Sequence, residues 1–202
     1  MTISYPLNLP STKFRRLSLT CRSAVSVLQS PFTYQTQVQK HQGQMWLADV
    51  SLPAMERAEA EKWAGFILAL NGPEGTFLLG DPLGALPKGA ATGVPLVNGG
   101  SQTGNSLVSD GWNPSVTGIL KAGDYIQIGS YLYRMMQDAD SDSGGNATLD
   151  IYPRLRISPA NNDTIITVAC KGLFRLIAAS NPMPSSDEQQ VYDFGFQAIE
   201  AI

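Results

Sequence analysis

Residue types able to do chemistry are scarce in this 202-residue chain, which has one histidine, two cysteines, and 17 carboxylates against 14 lysines and arginines. A Ser-His-Asp or Cys-His arrangement would have to use His41. His41 stands between Lys40 and Gln42, in a polar stretch over Gln39–Gln44 that reads as an exposed hairpin loop. The chain has no G-x-S-x-G nucleophile elbow and no G-x-x-x-x-G-K-[ST] phosphate loop. Zinc needs three or four His, Cys or acidic ligands, and two distant cysteines with one histidine are a poor supply. No catalytic, cofactor-binding or metal residue is assigned, no cofactor is expected, and the chain does not read as an enzyme.

Carboxylates offer two further candidates. In Asp138-Ala139-Asp140-Ser141-Asp142-Ser143-Gly144-Gly145-Asn146, alternating Asp residues could aim three carboxylates at one calcium ion. An EF-hand would need Gly at the sixth place and Glu at the twelfth, where this chain has Ser143 and Leu149. The stretch reads instead as a solvated hairpin loop, its Asp and Gly residues suited to tight turns. Sugar hydrolysis would need two acids fixed across a cleft. Glu56, Glu59 and Glu61 share one helical segment and read as dipole and solubility residues. Arg154 and Arg156 flank Leu155 beside Tyr152, a cluster that suits the rim of a protein interface better than a nucleic-acid platform.

The elements that must position these residues are mostly strands. Leu17, Leu19 and Cys21 alternate with Ser18, Thr20 and Arg22 as in a half-buried strand, with Val25 and Val27 extending the parity. Further strands are expected over 32–38 and 45–50, joined by the His41 loop. Trp63, Phe66, Ile67 and Leu70 form one apolar stripe of a helix running from Pro53 to Leu70, stopped by Asn71-Gly72-Pro73. A strand over 76–79 follows. Nine glycines then fall between Gly80 and Gly118 among short apolar pieces, with few charges. Three strands over 125–128, 131–136 and 147–152 read as a meander too small to stand alone. Ile166, Val168 and Cys170, then Phe174, Leu176 and Ala178, and finally Tyr192, Phe194, Phe196 and Ala198 give the closing strands.

The fold class expected is mainly β: a β-sandwich with one flanking α-helix and a small inserted β-rich domain. Residues 1–80 plus 159–202 form the discontinuous main domain, and 81–158 the loop-rich and meander insert. Composition narrows the function classes. Charged residues are 15% of the chain, against about 25% in ordinary domains. A net charge of -3 gives no broad basic field for nucleic acid or anionic membrane. No apolar run of 18 residues occurs, so no membrane insertion is expected. The first residues lack a signal peptide's charged start and apolar stretch, which fits synthesis in the cytosol and two reduced thiols.

Three stretches resemble tail-tip (baseplate) structural proteins of tailed bacteriophages, specifically the distal tail proteins. One runs from His41-Gln42-Gly43-Gln44-Met45-Trp46-Leu47-Ala48-Asp49-Val50 into Met55-Glu56-Arg57-Ala58-Glu59-Ala60-Glu61-Lys62-Trp63 and ends in Gly75-Thr76-Phe77-Leu78-Leu79-Gly80-Asp81-Pro82. The second spans Lys121-Ala122-Gly123-Asp124-Tyr125-Ile126-Gln127-Ile128 to Ile151-Tyr152-Pro153-Arg154-Leu155-Arg156, and the third is Tyr192-Asp193-Phe194-Gly195-Phe196-Gln197-Ala198-Ile199-Glu200.

The resemblance implies a virion protein, assembled in the host cytoplasm, whose copies form a hexameric ring below the tail tube. Such rings join the tube protein to the baseplate hub and other tail-tip proteins, carry receptor-binding parts for host attachment, and pass DNA only as cargo. Many distal tail proteins carry a galectin-like carbohydrate module in a longer chain; the 81–158 insert here is short. A carbohydrate-binding module remains the second expectation, with Trp112, Tyr131 or Tyr133 as stacking platforms. His41, Trp112, Tyr152, Arg154 and Arg156 are the candidate interface residues. The helix face opposite Trp63, the His41 loop and the 81–118 segment are the candidate contact regions.

Overall fold

A computed structural model describes residues 3–11, 13–177, 182–186 and 191–202. In chain order the elements are β1 (Leu7–Asn8), β2 (Arg16–Gln29), β3 (Thr36–Ser51), α1 (Arg57–Leu70), β4 (Phe77–Leu79), β5 (Gly93–Val97), β6 (Ser106–Trp112) and β7 (Tyr125–Ile128). Then come β8 (Tyr131–Met135), β9 (Ala147–Tyr152), β10 (Ile165–Ile166), β11 (Gly172–Leu176), β12 (Ser185–Ser186), β13 (Tyr192–Asp193) and β14 (Gly195–Glu200). The protein is mainly β, with two six-stranded sheets and one helix among the described residues, as its alternating patterns predict.

The first sheet has the order β1-β4-β11-β14-β3-β2. Its inner face carries Trp46, Ala48, Val50, Phe77, Phe174, Phe196 and Ala198. The α1 stripe of Trp63, Phe66, Ile67 and Leu70 is buried against that face, with Trp63 tilted on Phe196 at 6.0 Å between ring centroids. Leu17, Leu19 and Cys21 lie against the same core, as their parity predicts. The last strand, β14, sits in the middle of the sheet between β11 and β3. Its aromatic alternation turns Phe196 and Ala198 to the core and leaves Gly195 and Gln197 on the outer face.

The second sheet has the order β10-β7-β8-β9-β6-β5. Its two edges meet: Leu96 and Thr164 form a bridge, and the Val97 N–H donates to the Asp163 carbonyl at 2.9 Å. The sheet thereby closes on itself around Leu107, Ile119, Leu120, Ile126, Leu149 and Ile151, leaving little open edge. The glycine-rich segment supplies β5 and β6 of this sheet. Gly111 has φ 76°, and a Cβ there would sit 2.2 Å from the Val94 carbonyl oxygen, so the irregular β5–β6 register depends on glycine.

Four local expectations are corrected. The segment over Gln39–Gln44 is not the hairpin loop: β3 runs unbroken through it, and the turn lies at Ser30–Gln35. The polar run with Gly43 marks a bulge, where the register jumps from Ser23↔Gln44 to Val25↔Lys40 and three residues face Ala24 alone. The helix starts at Arg57, because the Met55 N–H and carbonyl are both bonded to Tyr192 and hold residues 52–55 to the sheet. Its end is as expected, with Asn71 in the left-handed conformation at φ 50°. Val168 and Cys170 do not continue a strand beyond Ile166, since Ala169 takes a positive φ of 51°. The second sheet also reaches past residue 158, since Ile165–Ile166 pairs with β7. Ala178 lies outside the described residues.

Candidate functional site

The largest departure from an ordinary buried β-pattern is the outer half of the β2–β3 hairpin. Beyond Gln44, β3 pairs with β2 alone, and every residue from Arg22 to Gly43 except the half-buried Ser30 is exposed. Val25, Val27, Leu28, Phe32, Tyr34 and Val38 are apolar or aromatic side chains in water, and Val27 faces Val38 across the ladder. The tip is nevertheless ordered. The Ser30 hydroxyl accepts the Phe32 and Thr33 N–H groups, and the Tyr34 N–H donates to the Ser30 carbonyl. Tyr34 sits at φ 56°, a costly conformation for a bulky residue. Phe32, 92% exposed, stands at the apex. A two-stranded ribbon is marginal in water by itself, so an arm of this kind needs a second surface.

The base of the arm is tied to the second sheet. The Tyr152 hydroxyl hydrogen-bonds the Ser23 hydroxyl, and the Arg154 N–H donates to Gln44 Oε1 at 2.8 Å. Arg156 Nε donates to Glu200 Oε1 at 3.0 Å, Glu200 Oε2 accepts the Trp46 N–H at 3.0 Å, and the Arg156 N–H donates to the Tyr133 hydroxyl. Burial pushes the Tyr133 phenol up to about 12. These residues form a polar joint between the two sheets.

The five candidate interface residues therefore separate. His41 is exposed on β3, within the arm. Tyr152 and Arg154 are half-buried at its base. The side chain of Arg156 is buried in the joint, and Trp112 is 3% exposed with its Nε1 donating to Ser109 Oγ, so both side chains are engaged inside the chain. Of the three aromatic candidates for sugar stacking, Trp112 and Tyr133 lie in the second core and Tyr131 is partly buried beside it. In the 81–118 contact region, Leu83 and Leu86 stand exposed. On the outer helix face, Leu68 does so in the last turn, beyond the Arg57–Glu61 and Lys62–Glu59 ion pairs of the first half.

The three loop aspartates do not converge. Asp138 accepts the Ala122 N–H and pairs with Lys121, Asp140 accepts the Gly118 N–H, and Asp142 accepts the Gly144 and Asn146 N–H groups. Backbone hydrogen bonds hold the Asp138 and Asp142 carboxyls below the usual range. Among the described residues no group of three His, Cys, Asp or Glu could hold a metal. Both thiols are free, and burial raises Cys21 to about 11 and Cys170 to about 12, which leaves them protonated and unreactive near neutrality. No helix among the described residues is long and apolar enough to cross a membrane.

One signal for the arm lies in the sequence but not in its overall charge. Residues 1–48 hold five lysines and arginines and no carboxylate, so the chain's acidity belongs wholly to residues 49–202. No protein-family model and no curated protein matches this chain.

Proposed function

We propose that the protein is a structural subunit of a phage tail tip, whose copies form a ring joining the tail tube to the baseplate hub and receptor-binding parts. The observation that carries this reading is the exposed β2–β3 arm, an ordered ribbon with apolar side chains on both strands and no covering partner among the described residues. The scarcity of groups able to do chemistry supports a scaffolding role over catalysis, and the charge-poor loops with Leu83 and Leu86 exposed suit contact with neighbouring chains. Residence in the virion belongs to the same proposal. Electron micrographs of the purified protein test it: rings of sixfold symmetry are expected, and a stable monomer that binds glycans overturns it.

A further inference from the structure

We infer that the arm of one copy seats its tip, Phe32, in an apolar hole at the opposite edge of the first sheet of a second copy. The inference rests on the proposed assembly and names its contact. The hole has a volume of about 490 Å³ and is lined by Leu9, Leu78, Pro82, Ala85 and Ala169, with Asn8, Asp81 and Lys171 at its polar positions. It lies at the β1–β4 end of the sheet, whereas the arm continues β2 and β3 at the other end.

Donor and acceptor are both preformed. Ser30 and the left-handed Tyr34 fix the tip turn. The wall of the hole is pinned by the Ala169 N–H donating to the Ala85 carbonyl at 2.6 Å. It is pinned again at Gly80, where a Cβ would sit 2.0 Å from the Cys170 carbonyl oxygen. The arm cannot fill its own hole: five strand spacings, roughly 24 Å, separate the two edges, and the ladder fixes the arm's direction.

The opposite charges of the arm and of the rest of the chain argue for a second copy as the occupant. Arg22 and Lys40 on the arm have no carboxylate partner among the described residues. The rest of the chain holds 17 carboxylates against nine lysines and arginines. A knob at one edge and a hole at the other make a head-to-tail contact, which closes into a ring or runs on as a filament.

Two variants and their mixture test the contact. Phe32→Ser spoils the knob and keeps the hole, while Ala85→Arg fills the hole and keeps the knob. Each alone is expected to lose assembly, with at least a tenfold fall in the fraction of protein that sediments as assemblies and unfolding temperatures near wild type. Mixed one to one, they retain a single good contact and are expected to give dimers containing one copy of each. Wild-type rings together with variants that still form rings overturn the contact while leaving the ring reading in place. A mixture that stays monomeric also overturns it. A monomeric wild type overturns both readings, and so does a wild-type arm that binds duplex DNA without self-association.

Discussion

Arg156 and Glu200 form an ion pair with side chains only 5% and 2% exposed, joining the segment after β9 to the central strand β14. Glu200 also holds the Trp46 backbone, so one carboxylate serves both sheets. A buried pair is costly to break from one side, because the surviving charge has lost both water and partner. Arg156→Leu should cost about 3–5 kcal/mol in denaturant unfolding. Adding Glu200→Gln, which removes the stranded charge yet still accepts from Trp46, should recover most of that loss. Equal stability of the single variant and wild type would remove this pair from the account of how the sheets are joined.

Much of the framework was legible in the sequence because one face of each strand is buried. Leu17, Leu19 and Cys21, and then Phe194, Phe196 and Ala198, alternate because the pleat sends every second side chain to the core. The arm was only partly legible: Val25 and Val27 extend the β2 parity as expected, but the turn lies elsewhere. Its side chains are exposed on both faces, so no inside-outside signal separates strand from loop, and the bulge at His41–Gly43 looked like the turn. The Arg154–Arg156 cluster was visible, but its burial depended on Glu200, 44 residues from Arg156 along the chain. The hole at the far edge is built by segments around residues 9, 78, 85 and 169, which no local pattern links.

The indole of Trp46 donates to the Leu132 carbonyl at 2.9 Å, a second bond between the sheets. Trp46→Phe keeps an aromatic ring but leaves that buried carbonyl unpaired, an expected loss of about 1–3 kcal/mol. Thermal unfolding should remain one transition if the joint couples the sheets, and two separated transitions in this variant would show that Trp46 was holding two independent units together.

Stability should fall on the alkaline side. Burial raises Cys170 from 9.0 and Tyr133 from 10.0, each to about 12. The folded state therefore keeps protons that the unfolded chain releases above pH 9. These groups contribute fully below pH 9, and their contribution is lost progressively as pH rises toward 12. Unfolding temperatures measured from pH 8 to 11 should decline, and the decline should be shallower in Cys170→Ala. An identical slope in that variant would exclude the thiol as a source.

The Asp142 carboxylate is committed to the turn through Gly144 and Asn146. Asp142→Ala should lower the unfolding temperature with or without calcium, and millimolar calcium should leave the wild type unchanged. A calcium-dependent rise in the wild type, absent in Asp142→Ala, would assign the loop a metal after all.

Native mass spectrometry of the full chain tests the central claim most directly. A closed assembly of six 21.7 kDa copies, lost on Phe32→Ser, is the expected result. A single 21.7 kDa species at every protein concentration up to tens of micromolar would contradict it.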